Sequence, residues 1–255
     1  MVRNRIQPSR RQDRMYWDAM AKRWDQEIFN TLHHDRSGVI GGEIERSSRR
    51  AGSIADFGCG TGIYLPLLSR LFDDVQGFER SMPCVAIARQ KLRTRANVAV
   101  HSASSASVRR HGRFDVVLCV NVAVHPALRA RAGVFRAIRA LLAPGGRLIL
   151  VVPSLESATM VAAEEAAALR GRATSRGGDW IAGKDADGVV TIEGMPYKHY
   201  TRRELRDLLE GLGLGVIRIR RVEYSWRSQG VRPAAHRTGD LPWDWIAVAK
   251  QPATR

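Results

Sequence analysis

An α/β fold built around a parallel sheet is the class the sequence predicts, and three observations predict it. Short β-rich apolar runs alternate with helix-patterned stretches from residue 53 to residue 154. A glycine-rich turn, "DFGCGTG", separates the first such run from the first helix of the alternation. Two more strand-patterned runs close the chain behind a capped helix.

Residues 1–50 form a helical cap, in which "MYWDAMAKRWDQEI" repeats Tyr16, Met20, Trp24 and Ile28 at every fourth position, the pattern of one helix face on a core. The first strand is "SIADF". The second, "DVQGFE", is followed by Ser81 as cap of the helix "MPCVAIARQKL", with Pro83 tolerated in its first turn. "NVAVHS" and "FDVVLCV" are the third and fourth strands. The helix in "HPALRARAGVFRAIRALLAPGG" stops at Pro144 and the glycine pair, and "GRLILVVPS" is the fifth strand. Residues 51–154 are therefore the ligand-binding core. The stretch 155–200 starts as a helix, turns Gly- and Asp-rich through "SRGGDWIAGKDADG", and is longer than a crossover needs. It is expected to be a substrate-side insertion or lid, or else partly disordered. From 201 to 255 the same domain is completed by "TRRELRDLLEGLG", opened by a Thr201/Glu204 capping box, and by the strands "GVIRIRRVEYSW" and "DWIAVAKQ".

Composition narrows the class further. At 255 residues with 44% hydrophobic side chains the chain can bury a large core, and no unbroken apolar stretch is long enough for a membrane span. A cytoplasmic protein is expected, its cysteines Cys59, Cys84 and Cys119 reading as buried thiols rather than disulfides or a metal site. The formal charge of +16 raises the question of a polyanionic partner. Its arginines look dispersed, with the densest groups at Arg3–Arg14 and at Arg218, Arg220, Arg221 and Arg227. That distribution favours a solvated face over a nucleic-acid contact.

The glycine turn asks what approaches the backbone so closely. A dinucleotide site would favour G-x-G-x-x-G, but after Gly58 and Gly60 the third expected glycine falls on Ile63, and Gly62 comes one place early. The spacing is G-x-G-x-G, with Asp56 two residues ahead.

Here the sequence resembles the class I S-adenosylmethionine-dependent methyltransferases. "DFGCGTG" matches their first motif, Glu79 in "VQGFERS" stands where the family places its ribose-binding acid, and "FDVVLCVNVAVH" and "LLAPGGRLILVVPS" look like its fourth- and fifth-strand motifs. "YKHYTRRELRDLLEGLGLGVIRI" and "LPWDWIAVAK" are similar to the closing part of many small-molecule members. The resemblance implies a Rossmann-like, seven-stranded, mostly parallel sheet with helices on both faces, an antiparallel C-terminal strand, an N-terminal helical cap and an insertion after strand five. It implies S-adenosylmethionine as cofactor. The backbone of Gly58, Cys59, Gly60, Thr61 and Gly62 would cradle its amino-acid part, Asp56 its ammonium, and Glu79, expected to face an open crevice, both ribose hydroxyls. Arg80 and Met82 stand where adenine packs, Val120 ends strand four, and Ser102 and Ala103, with Ser104, replace the acidic residue the family often carries after strand three.

The reaction implied is methyl transfer from a sulfonium to an O-, N- or C-nucleophile of a small organic acceptor. Alignment and exclusion of water meet much of that barrier, so a base is required only if the nucleophile must lose a proton. His125 and Asn121, just past strand four, are the candidates, with a helix-start role as the bland reading of His125. Tyr16, Trp17, Trp24, Tyr197, His199 and Tyr200, together with Trp180, are candidate acceptor contacts, against a reading as ordinary packing. The alternatives are a tRNA or rRNA methyltransferase, which charge alone favours, and a non-catalytic cofactor-binding module. No metal-ligand spacing is present.

Overall fold

The computed structural model of the protein describes residues 10–24, 28–170, 181–192, 194–229 and 239–253. Its centre is β1 (Ser53–Phe57), buried at four of five positions: Ile54, Ala55 and Phe57 are apolar, and Asp56 is buried with them near the carboxyl end. Around it run β2 (Asp74–Glu79), β3 (Val98–Ser102), β4 (Phe114–Val120), β5 (Leu142–Pro153), β9 (Gly215–Glu223) and β10 (Trp243–Lys250), in the order β3-β2-β1-β4-β5-β10-β9. The first five are parallel, and β10 is antiparallel to both β5 and β9. The chain winds outward through β1, β2 and β3, then returns to β4 on the other side of β1. That reversal opens a crevice at the carboxyl ends of β1 and β4, where such sheets take ligands.

Alternation along β5 shows how both faces are filled. Leu148, Leu150 and Val152 enter one core with Phe135 and Ile138 of α6 (Leu128–Leu141) and Leu205 and Leu209 of α8 (Arg202–Gly211). Ile149 and Val151 enter the other, with Ile40 and Ile44 of α3 (Val39–Ser48), Leu65 and Leu68 of α4 (Leu65–Leu71), and Val85 of α5 (Met82–Lys91). Helix α6 stops short of Pro144, and β5 begins at Leu142 with a register shift against β4. The strand thus starts earlier than the glycine pair suggests, because the residues before a proline favour extended backbone.

The helical preamble divides. Helix α1 (Arg10–Met20) gives way to a tight turn at Ala21–Arg23, then α2 (Thr31–His34) and α3, so the four-residue stripe is not one continuous helix. Beyond β5 the insertion holds α7 (Leu155–Arg170) and a small antiparallel sheet of β6 (Ile181–Lys184), β7 (Val189–Ile192) and β8 (Met195–Lys198). Trp180 lies outside the described residues.

Part of the positive charge is neutralised locally. Glu43, buried on α3, takes Arg46 at 2.6 Å, Arg218 at 3.3 Å and Arg220 at 3.7 Å. Arg221 pairs with Asp240 at 2.7 Å and lies over the ring of Trp243. The β9 arginines are therefore ion-paired rather than merely solvated. Cys59, Cys84 and Cys119 are free and buried, as read, and among the described residues no group of side chains could hold a metal ion. No described helix is long and apolar enough to cross a membrane.

Candidate active site

A cavity of about 1710 Å³ occupies the crevice. Asp56, Gly58 and Cys59 from the end of β1, Glu79 and Arg80 from β2, Ser102 and Ala103 from β3, and Val120, Asn121 and His125 beyond β4 all line it. Tyr16, Trp17 and Trp24 roof it from the N-terminal cap, and Tyr197 reaches it from β8.

The turn after β1 is shaped by close approach. Gly58 and Cys59 donate their N–H groups to the Phe78 carbonyl at 2.7 and 3.1 Å, which forces Gly58 to φ +84°. A Cβ there would lie 2.2 Å from Val122 Cγ2, and one on Gly60, at φ +53°, would lie 2.4 Å from the Trp24 ring. Only glycine accommodates both the backbone and these neighbours.

Beneath the turn, Asp56 is 2% exposed and its Oδ2 has no hydrogen-bond partner among the described residues. Burial, reinforced by the nearby Glu79 carboxylate, pushes its carboxyl up to about 7. A buried carboxylate without a cation is costly, so the site as built calls for a positively charged group.

Glu79 differs from the open-crevice expectation. Burial pushes its carboxyl up, opposed by backbone N–H donors: Oε1 accepts from Arg80 N at 2.7 Å and Ser81 N at 2.8 Å, and Oε2 from Gly60 N at 3.1 Å. Three of about four acceptor positions are filled, leaving room for one further donor on Oε2 without disturbing the turn. Ser81 is fixed by Asp18 of α1 at 2.6 Å, which ties the cap to this loop.

At the other wall, Asn121 adopts φ +54°, and its Nδ2 donates to Asp244 Oδ2 at 3.3 Å. Tyr224 donates its hydroxyl to the same oxygen at 2.9 Å, and burial pushes Asp244 up to about 6. The carboxamide is thereby oriented, with its Oδ1 buried and unpartnered among the described residues. Thr31 and Tyr64, 2.6 Å apart through their hydroxyls, complete this side. Asp244, Tyr224, Thr31 and Tyr64 escaped the sequence reading, although an aspartate between the tryptophans of "PWDWIAV" was a visible signal.

His125 Nδ1 accepts the Ala127 N–H at 2.9 Å at the start of α6. This makes Nδ1 the acceptor and places the proton of the neutral ring on Nε2, so the lone pair that a base would use is already engaged by the backbone. The bland reading of His125 as a helix-start residue is the one this geometry supports. Replacing His125 with Asn keeps an acceptor for this turn ahead of α6 and should leave the melting temperature nearly unchanged, whereas Ala should cost about 1 kcal/mol; equal losses in both would remove the turn-holding role.

Several predicted contacts lie elsewhere. Tyr200 is in the core, 1% exposed, with its hydroxyl donated to the Ala123 carbonyl at 2.6 Å. His199 is also buried away from the cavity, its Nδ1 3.0 Å from the Tyr197 carbonyl, and burial drives its ring down to about 4. Met82 is 49% exposed and faces away from the cavity, and neither Thr61, which is buried, nor Gly60 and Gly62 line it. Gly60 is covered by Trp24.

Residues 32–219 match the family model described as a methyltransferase domain. The chain belongs to this methyltransferase family. Among curated members it resembles the ubiquinone biosynthesis O-methyltransferase of Pseudomonas aeruginosa, 30% identical over 140 residues covering 52% of this chain and 59% of that protein. The Xanthomonas oryzae enzyme of the same name is 26% identical over 175 residues, covering 64% and 71%. The chain thus spans about three-fifths of the length of the Pseudomonas relative it matches. In fold it is similar to the Burkholderia thailandensis 1,6-didemethyltoxoflavin-N1-methyltransferase, solved with 1,6-didemethyltoxoflavin and S-adenosylhomocysteine (TM-score 0.62, 16% identity, 94% of this chain and 87% of that one). It is similar also to the Synechocystis magnesium protoporphyrin IX methyltransferase with S-adenosylhomocysteine (TM-score 0.60, 16% identity, 94% and 97%). For this methyltransferase-family chain, the unpartnered Asp56 and the glycine turn fit a ligand with an ammonium group, and the neighbouring Glu79 fits a hydroxyl donor.

Proposed function

We propose that the protein transfers a methyl group from S-adenosylmethionine to a small organic acceptor. The observation that carries this is Asp56: a buried carboxylate, unpartnered among the described residues, at the bottom of a glycine turn, within a cavity that the cap roofs with aromatic side chains. A volume of about 1710 Å³ exceeds the roughly 300–1,000 Å³ of an ordinary single-ligand pocket, so it suits a cofactor and an acceptor together.

When bound, S-adenosylmethionine supplies an electrophilic methyl group on a positively charged sulfur. Asp56 binds the cofactor ammonium and Glu79 Oε2 accepts a ribose hydroxyl. The stretch Ser102–Ser104 lies beside Glu79 at the end of β3 and receives the adenine edge. Tyr16, Trp17 and Trp24 exclude water from above, and Tyr197 does so from the insertion. Asn121, held by Asp244, presents Oδ1 to a donor on the acceptor and so orients its nucleophile. Rate enhancement then comes from alignment in a dry site rather than from a side-chain base, which fits the occupied lone pair of His125.

Calorimetry with S-adenosylhomocysteine tests the reading. Binding is expected without competition from NADH, and preference for NADH would overturn it. Glu79→Gln should bind on the order of 10- to 100-fold more weakly. Because the amide NH2 would replace one carboxylate oxygen and face either the Gly60 N–H or those of Arg80 and Ser81, the same variant should also be less stable, by about 1–3 kcal/mol, and melt lower. Full affinity in a stable Glu79→Gln protein would take Glu79 out of the site.

A further inference from the structure

Arginines that look scattered in the sequence meet in one groove. The cavity continues from His125 along α6, between that helix and the connection from β3 to β4, and Arg129, Arg136 and Arg139 line it from the helix, Arg109 and Arg113 from the connection. All five are exposed. None has an ion pair or hydrogen bond to any described residue. Among the described residues, the carboxylates that line the cavity are Asp56 and Glu79, at its far end.

Helix α8 provides the contrast. There Arg203 pairs with Asp207 and Arg206 with Glu210, each one turn on. Helix α6, "LRARAGVFRAIRAL", has no acidic residue at all, and it sets Arg129 in its first turn, where the free N–H groups are already positive. Arg136 and Arg139, one turn apart, repel each other. Between the arginines the groove is lined by Ala130, Gly133 and Ala140, and the Cβ position of Gly133 points into open space. The arrangement disfavours itself until an anion enters. From Arg129 to Arg139 the helix rises about 15 Å, longer than one phosphate and suited to several in a row. Among the described residues, neither α6 nor the connection from β3 to β4 lines the groove with an aromatic side chain, so its arginine-bearing walls offer no platform for stacked nucleic-acid bases.

We propose that this groove holds a run of phosphate groups carried by the methyl acceptor, whose nucleophile then lies at the Asn121 end of the same cavity. The proposal rests on the methyl-transfer reading for what occupies that end, and on the arginines alone for the phosphates.

The test uses inorganic tripolyphosphate as probe, titrated calorimetrically into the full chain with and without saturating S-adenosylhomocysteine. Arg129→Gln/Arg136→Gln/Arg139→Gln should bind it on the order of 10- to 100-fold more weakly than wild type. The charge-matched Arg202→Gln/Arg203→Gln/Arg206→Gln should bind it as wild type does, and all three proteins should bind S-adenosylhomocysteine equally. Equal weakening in both triple variants would overturn the proposal, since only net charge would then matter. So would competition between the two ligands, which would put the phosphates in the cofactor site. A uridine oligonucleotide that binds more tightly than tripolyphosphate through the α6 arginines would assign the groove to nucleic acid instead. Failure of S-adenosylhomocysteine to bind wild type, with the tripolyphosphate pattern intact, would reject the methyl-transfer reading and leave the groove an anion site.

Discussion

Asp56→Asn should bind S-adenosylhomocysteine about 100-fold more weakly than wild type near pH 8 and should lose the pH dependence that wild type shows. In the ligand-free protein the carboxyl titrates at about 7, but an ammonium partner requires it ionised. Below that pH, binding must first expel a proton, so wild-type affinity should fall about tenfold between about pH 8 and pH 6. Stability runs in the opposite direction. The folded, ligand-free value is raised above the usual 3.8, so the native state holds the proton more tightly than the unfolded chain does. The stabilising proton is lost, and Asp56 contributes less, as pH rises from about 4 through about 7. The Asn variant should lack this component and be no less stable than wild type near pH 8. Parallel affinity and melting curves for the two proteins across this range would exclude Asp56 from the cofactor site.

The second large effect belongs to Gly58. An alanine there must adopt φ +84° and bring its Cβ to 2.2 Å from Val122 Cγ2. Backbone strain of about 1–3 kcal/mol and the overlap together should lower stability by about 3 kcal/mol, a fall in Tm of roughly 10 °C for a chain of this size. Gly58→Ala/Val122→Ala should recover part of that loss, because the overlap goes and only the backbone strain stays. A thermal-melting cycle that includes Val122→Ala alone measures the coupling. Strictly additive losses would mean that the two positions do not touch.

The middle of the sheet was legible because β1, β4, β5 and β10 are buried on both faces and so stand out as apolar runs bounded by turns. The cofactor end was legible because glycine spacing and strand-end acids are local features. Distances through space were not. Tyr197 and Tyr200 are three residues apart and chemically alike, yet one lines the cavity and the other is in the core with its hydroxyl on Ala123. Only the pairing of β7 with β8, and the return of the chain beside Ser154, decide which is which. The same holds for charge: Arg109, Arg113 and the α6 arginines belong to different elements, and their convergence comes from the way the turn at Val108–His111 packs on α6. Asp244 shows the limit from the other side, since its strand pattern is ordinary and its partner Asn121 is 123 residues away.

The buried Glu43 also bears on the order of assembly. Its partner Arg218 is 175 residues further along, so that ion pair closes a loop of almost the whole fold. Closing it costs about 2 kcal/mol more chain entropy than a loop of some 20 residues. Such contacts form late, after the local strand–helix units are in place. Helix α3 therefore gains this anchor only once β9 has been made and placed at the sheet edge. During synthesis the glycine turn of β1 emerges early, but α3, which shares a core with Cys59, waits for the far end of the sheet to be anchored. A nascent chain would thus carry the glycine turn and Asp56 long before Tyr224 and Asp244, which hold Asn121 at the other wall, have been made, and cofactor present at that stage would find half a site.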